Sequence, residues 1–222
     1  MDITTIIFDY GCVLSLPPGP EDYEPLRQAI GVQPAAFQEL YWRNREAYDI
    51  AALDTTAYWQ EIGHAAGLNL FPEQIEKLAT LDHQLWGKPN PVMVEWVREL
   101  RGRGLKTAVL SNMSHSVGDY LRQTFQWFEL FNHLCFSSDL RIGKPDPAIY
   151  HACLEALSVP ARQALLIDDR EPNVAAARAL EMQGIVFRSA EQLLTDLEPY
   201  RLGGSLAEAR ALAGSLGAQR GR

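Results

Sequence analysis

Four short segments carry side chains whose types and spacing suit phosphoryl chemistry. Asp9 ends the apolar run Ile3-Thr4-Thr5-Ile6-Ile7-Phe8 and opens the turn Tyr10-Gly11-Cys12-Val13-Leu14. A strand that runs into a carboxylate and a glycine delivers that carboxylate to the carboxyl edge of a sheet, where open α/β folds bind ligands. There a carboxylate can attack phosphorus if the phosphoryl oxygens are neutralised, giving an aspartyl-phosphate that water then hydrolyses. Asp168 and Asp169 follow Ala164-Leu165-Leu166-Ile167 and leave a strand in the same way. Three carboxylates at one edge raise one another's pKa values unless a cation compensates. Magnesium suits the task, because it takes oxygen ligands and keeps waters that a substrate phosphate can replace. Ser111 and Asn112 end a strand and precede a helix, so the hydroxyl and nearby N–H groups can cradle phosphate oxygens. Lys144 lies in the rigid loop Gly143-Lys144-Pro145-Asp146-Pro147. Taken singly, each has a plainer reading: a turn-opening aspartate, a helix cap, an exposed lysine. Their combination is what specifies a catalytic set.

The elements that must position these residues follow from the hydrophobic pattern. After one strand within residues 1–14, the linker Ser15-Leu16-Pro17-Pro18-Gly19-Pro20 leads into a helical stretch. Helices are expected at 21–30, 34–48, 54–66 and 72–85, opened by Asp54 or by a first-turn proline, and together they predict a helical cap over residues 15–86. Beyond Trp86-Gly87-Lys88-Pro89-Asn90-Pro91 the pattern alternates: helix 91–102, strand 105–110, helix 115–126, strand 133–137, helix 147–157, strand 164–168, helix 172–181, strand 184–187 and helix 190–197. Such alternation predicts an α/β core, residues 1–14 and 87–200, built on a parallel sheet covered on both faces. Residues 201–222 read as a tail with a weak helix at 206–216 that frays or covers a neighbour.

In their order and spacing the four segments resemble the haloacid dehalogenase superfamily, whose members are mostly magnesium-dependent phosphatases with an aspartate nucleophile. The first and last segments look closest to the branch that includes glucose-1-phosphatase-like proteins and the amino-terminal phosphatase domain of soluble epoxide hydrolase. The resemblance covers residues 1–200 and implies a Rossmann-like core with an inserted cap. It implies Asp9 as nucleophile and metal ligand, Lys144 beside Asp9 and the phosphoryl group, and Ser111 and Asn112 as phosphate contacts. Asp169 is implied as the direct magnesium ligand and Asp168 as a ligand through water. Asn173 completes Asp-Asp-x-x-x-Asn and would orient the acidic pair or Lys144. One position departs from the pattern: where phosphatases of the superfamily carry a second aspartate, the general acid and base, this chain has Gly11. Glycine keeps the backbone carbonyl that such a residue gives to the metal and loses proton transfer, although some members of the same branch also have Asp-x-Gly.

The rest of the composition sets bounds. The chain has 222 residues and a net charge of −8, which argues against a nucleic-acid surface, so an anionic substrate needs local positive charge. No leader pattern and no run of about 20 apolar residues is present, and a cytoplasmic protein without a membrane partner is expected. Cys12, Cys135 and Cys153 have no metal-ligand spacing and read as buried thiols. In the cap, Trp42, Arg43, Arg45, Tyr48, Asp49 and Trp59 are candidate substrate contacts, and His115 either faces the cleft or lies exposed. The reading these residues favour is a magnesium-dependent phosphatase of small phosphorylated, sugar phosphate-like metabolites. The alternatives are a 2-haloacid dehalogenase, against which the acidic pair counts, and a silent binding or scaffold protein, for which Gly11 speaks.

Overall fold

The computed structural model describes residues 2–220, so Met1 and the last two residues of the expected tail lie outside the described residues. Five parallel strands, β1 (Thr5–Phe8), β2 (Lys106–Ser111), β3 (His133–Phe136), β4 (Ala164–Asp168) and β5 (Gln183–Val186), form one sheet in the order β3-β2-β1-β4-β5. β1 is central, with Phe8 opposite Val109 on one side and Ile167 on the other. All four of its residues are buried, as a strand covered on both faces requires. Ile6 and Phe8 pack with α6 (Pro91–Gly102), α7 (His115–Thr124), α11 (Ala190–Asp196) and α12 (Gly203–Arg220), whereas Ile7 packs with α9 (Pro147–Leu157) and α10 (Glu171–Ala179). The chain builds β2 and β3 on one side of β1 and then returns to build β4 and β5 on the other. That reversal puts the carboxyl end of β1 at the switch point of the sheet. The α/β fold expected from the alternation is therefore the observed one, with a further short helix, α8 (Ser137–Leu140), after β3.

Between the two proline-rich linkers lie α1 (Glu24–Ile30), α2 (Pro34–Arg43), α3 (Arg45–Asp49), α4 (Thr55–Ala65) and α5 (Pro72–Trp86). They enclose a hydrophobic cluster of their own, centred on Leu26, Phe37, Tyr41, Tyr58, Trp59 and Leu78. The single helix expected at 34–48 is broken at Asn44, whose φ of −117° and ψ of 17° are not helical and whose amide is bonded to Glu61. The break lets α3 carry Arg45 and Asp49, four residues apart, inward on one face. The linkers themselves are paired: the Leu16 N–H donates to the Lys88 carbonyl and the Asn90 N–H to the Leu14 carbonyl, both at 2.8 Å. Beyond them, α5 leans on α7 through a 2.7 Å hydrogen bond between His83 Nε2 and Ser116 Oγ, with the His83 ring stacked on Tyr120.

The carboxyl-terminal stretch exceeds its sequence signal. Instead of a weak helix at 206–216, one helix runs from Gly203 to Arg220, and Leu202, Ser205, Leu206 and Ala209 are buried against the core. Trp96 of α6 donates its indole N–H to Ser205 Oγ at 2.8 Å, and Ser205 in turn donates to the Leu202 carbonyl at 2.7 Å. The composition of the tail hid this, because small residues contribute little to periodicity yet allow close helix approach. Leu206→Ala should lower the free energy of unfolding by about 2–4 kcal/mol, the range for a buried leucine truncated in a packed core. Urea denaturation checks this, and a change within a few tenths of a kcal/mol would show that the helix is only appended.

Candidate active site

β1, β2 and β4 end at one edge, and the chain delivers a polar side chain at each end. The Asp9 N–H continues the ladder by donating to the Ile167 carbonyl at 2.9 Å, and Asp9 Oδ1 accepts from the next N–H, that of Tyr10, at 2.7 Å. The turn that follows closes through Ser15 N–H to the Tyr10 carbonyl at 2.8 Å and Cys12 N–H to Ser15 Oγ at 3.2 Å. Its left-handed residue is Cys12, with φ of 58°, whereas Gly11 has φ of −60° and ψ of 130°. A Cβ built on Gly11 would lie 3.5 Å from Trp86 Cζ3, an ordinary contact. The backbone therefore does not require glycine at the position where the superfamily places its second aspartate.

Lys144 is 5% exposed and joins the two acidic strand ends. Its Nζ lies 3.0 Å from Asp9 Oδ1 and 2.6 Å from Asp168 Oδ2. Burial works against the ammonium, but the two carboxylates outweigh it and hold the Lys144 pKa above its ordinary value. Asp168 is fully buried and saturated: besides Lys144 it accepts from the Arg170 N–H at 2.8 Å and from the Asn173 amide at 3.0 and 3.1 Å. Asn173 is fixed in turn by Tyr150, whose hydroxyl donates to its carbonyl at 2.9 Å. Asn112 lines the cavity and also bonds to the backbone of Lys144. Its amide accepts from the Lys144 N–H at 2.7 Å and donates to the Lys144 carbonyl at 2.9 Å, so the side chain clamps the lysine loop.

Oxygens of Asp9, Asp168 and Asp169 all lie within 4.8 Å of one another. Burial pushes the Asp9 carboxyl up to about 6, with Lys144 and the Ser111 hydroxyl opposing the shift and the neighbouring aspartates adding to it. Burial and Asp168 likewise raise Asp169, which is half-buried. Asp9 and Asp169 line the floor of a cavity of about 190 Å³, together with Ser111, Asn112, Lys144 and Cys12, whereas Asp168 lies fully buried beneath it. The thiol of Cys12 is pushed up to about 12 by burial and by the Asp169 and Asp9 charges.

The helical layer supplies the other wall. Of the six cap residues singled out by sequence, Trp42, Arg45 and Asp49 reach the cavity. Arg43 instead pairs with Glu39 at the surface, and Tyr48 and Trp59 are buried within the helical layer. His115 is exposed, with Nδ1 3.4 Å from Asp139. Sequence reasoning missed Trp86 and Arg170 on the cavity lining and Asp82, the buried partner of Arg45 at 3.2 Å. Asp82 did leave a signal. It falls in the apolar stripe Ile75, Leu78, Ala79 and Leu85 of α5, where a carboxylate needs a partner.

Removing the buried ammonium should uncover the repulsion it masks. Lys144→Met is expected to cost about 3–5 kcal/mol of stability near pH 8, because Asp168 is left as a buried charge without its cation. The folded-state pKa of Asp9, already raised, would lose the opposing pull of Lys144 and rise further, and a raised carboxyl favours folding only below its unfolded value and loses that advantage as pH passes through the folded value. Destabilisation should therefore be smaller near pH 5, and urea titrations of both proteins at the two pH values test it.

A family model for haloacid dehalogenase-like hydrolases matches residues 24–181. Among curated relatives, the chain is 34% identical over 113 residues to acyl-CoA dehydrogenase family member 10 of Mus musculus, covering 50% of this chain but only 10% of that protein. It is 29% identical over 196 residues to Phosphatase MT3486 of Mycobacterium tuberculosis, covering 86% of this chain and 90% of that one. Among solved structures, a mutant of the HAD family enzyme bt-2542 from Bacteroides thetaiotaomicron, in complex with magnesium and inorganic phosphate, superposes with a TM-score of 0.71. That match has 18% identity and covers 84% of this chain and 94% of that one. The L-2-haloacid dehalogenase of Xanthobacter autotrophicus gives a TM-score of 0.66 at 18% identity, over 89% and 83% of the two chains. At such identities the structural likeness speaks for the fold, and the family model, which spans well over half of the sequence, speaks for descent. This chain belongs to the haloacid dehalogenase-like hydrolases.

Proposed function

We propose that the protein is a magnesium-dependent phosphatase of small phosphate monoesters that works through an aspartyl-phosphate on Asp9. One observation carries the reading: the Asp9 carboxylate lies 3.0 Å from Lys144 Nζ, in a set of three carboxylates within 4.8 Å, on the floor of a cavity that also holds Ser111. A nucleophile, a counter-charge for phosphoryl oxygens and a cation site coincide there.

The donor set fits magnesium, since three carboxylates face a single ammonium and an excess of negative charge remains to be balanced. Asp9, the Gly11 carbonyl and Asp169 would hold the ion directly. Asp168, already bonded to Lys144, Arg170 and Asn173, suits a contact through water. A bound magnesium would neutralise phosphoryl oxygens as a Lewis acid. Asp9 attacks phosphorus in line, Lys144 offsets charge on the equatorial oxygens, and the Ser111 hydroxyl holds the phosphoryl group beside the start of α7. Asn112 acts on this reading as a positioning residue, because its amide fixes the backbone of Lys144. Residues 15–86 would act as a cap that selects the substrate over the core of 1–14 and 87–200.

The phosphatase among the relatives and the magnesium and phosphate bound to the bacterial enzyme of the same fold support this choice. The acidic pair speaks against the metal-free chemistry of the dehalogenases. A reducing compartment such as the cytoplasm fits three free thiols, and among the described residues no helix is long and apolar enough to cross a membrane. Turnover of para-nitrophenyl phosphate should require magnesium, stop on chelation and be lost in Asp9→Asn. Retention of most of the rate in either case overturns the mechanism. By calorimetric titration Asp169→Ala should weaken magnesium binding more than Asp168→Asn does, and the opposite order would reverse the two assignments.

A further inference from the structure

A phosphate ester attacked in line by Asp9 expels its leaving oxygen on the side away from Asp9, toward the cavity wall contributed by the helical layer. Given the phosphatase reading, that oxygen needs a proton whenever the alcohol is a poor leaving group, and Gly11 cannot supply it. We propose that Asp49 of α3 is the proton donor to the leaving group, doing from the helical layer what the first motif leaves undone.

Elimination among the described groups on the cavity lining supports this. Asp9 and Asp169 face the cation site, and Lys144 is held as an ammonium between carboxylates. The Tyr10 hydroxyl donates to the Trp86 carbonyl at 2.7 Å, and burial raises its pKa further. Cys12 is a thiol pushed up to about 12, on the core side beside Asp169. The guanidinium of Arg45 is locked above its ordinary pKa and donates to Asp49 Oδ1 at 2.9 Å, to the Tyr41 hydroxyl at 2.5 Å and to Asp82 at 3.2 Å. Asp49 remains as the acid that can exchange a proton near neutral pH.

Its surroundings explain why a proton is available. Asp49 and Asp82 share one guanidinium, so this buried cluster is neutral only when one of the two carboxylates is protonated. Asp82 is 1% exposed and also accepts from the Tyr41 hydroxyl at 2.6 Å, whereas Asp49 lies at the cavity. Burial pushes the Asp49 carboxyl up to about 6, against Arg45 and the Ser114 backbone amide, with Asp82 adding to the rise. Tyr58 of α4 also faces Arg45, with its ring centre 6.0 Å from the guanidinium. On α8, the remaining element packed on α3, Asp139 is paired with Arg122 and His115. The position of Asp49 is also fixed: its carbonyl accepts from Ser137 Oγ at 2.6 Å, and that oxygen accepts from the Met113 N–H at 2.8 Å, which ties α3 to the loop after Ser111.

The two half-reactions balance. In the first, Asp9 forms a bond to phosphorus as the ester P–O bond breaks, and the Asp49 carboxyl proton passes to the departing alkoxide, releasing the alcohol. In the second, Asp49 carboxylate takes a proton from water as its oxygen bonds to phosphorus and the Asp9 bond breaks, which releases phosphate and restores both side chains.

The full-length protein with magnesium, in single-turnover reactions with para-nitrophenyl, phenyl and n-butyl phosphate, tests the assignment. Asp49→Asn should slow release of butanol on the order of 10²-fold and leave para-nitrophenolate release nearly unchanged, with phenol between them. In the unaltered protein the butyl phosphate rate should fall as pH rises through about 6, while the para-nitrophenyl rate shows no such fall. This second measurement needs no variant. Gly11→Asp should add little on its own but restore butanol release in the Asp49→Asn background. An equal loss on all three substrates, or a butyl profile without the falling limb, overturns the proposal while leaving the Asp9 mechanism standing. Absence of any Asp9-dependent turnover of para-nitrophenyl phosphate overturns both.

Discussion

A buried ammonium between two buried carboxylates is the constraint on which the rest of this site depends. Lys144 holds the strand ends of β1 and β4 together through Asp9 and Asp168, at 3.0 and 2.6 Å. Taking such groups out of water costs several kcal/mol per ion, so the geometry has to be complete before it stabilises anything. The supporting bonds supply that completeness. Asn112 fixes the lysine loop by its backbone, Asn173 and the Arg170 N–H fill the free positions on Asp168, and Tyr150 anchors Asn173. Asp9 differs in lying at the cavity, whereas Asp168 is sealed beneath it.

A second buried ionic cluster mirrors the first across the cavity. Arg45, Asp49, Asp82 and Tyr41 are held within an aromatic shell in which the guanidinium lies 5.2 Å from the Tyr41 ring and 5.8 Å from that of Trp86. The two clusters have opposite stoichiometry to a neutral pair: each places more carboxylates than cations in a low-dielectric setting. At the core floor the excess is suited to a divalent cation, and at the helical wall it is suited to a proton. The same excess thus gives the cavity two different capacities, according to whether oxygen ligands converge or are kept apart by a guanidinium.

Several contacts tie the helical layer to the core, among them the bond from the Tyr10 hydroxyl to the Trp86 carbonyl. The paired linkers around Ser15 and Pro89 form the covalent connection, and the His83 to Ser116 bond joins α5 to α7. The Asp49 to Ser137 bond joins α3 to the start of α8, and through the Met113 N–H to the loop after β2. Trp86 adds an apolar contact, since it packs against the hydrophobic clusters of both layers.

The strand runs, the acidic pair after β4 and the proline-framed lysine were legible in the sequence because they are local: hydrophobic period and strand-end chemistry act over a few residues. They sufficed for the α/β class and for bringing Asp9, Ser111, Lys144, Asp168, Asp169 and Asn173 to one edge. Asn112 was legible as a member of the site, but its clamp on Lys144 was not, since that contact spans 32 residues of chain. The break at Asn44, the long helix that seals Trp96, and the choice of Trp42, Arg45 and Asp49 over Arg43, Tyr48 and Trp59 were decided only by tertiary structure. Packing direction made those choices, and an aromatic or charged residue on a helix has the same local preference whether it faces a cavity, a core or water. Gly11 shows the division most sharply: the sequence reveals that a side chain is missing there, and only the fold shows that its backbone angles would admit one and that Asp49 lines the same cavity.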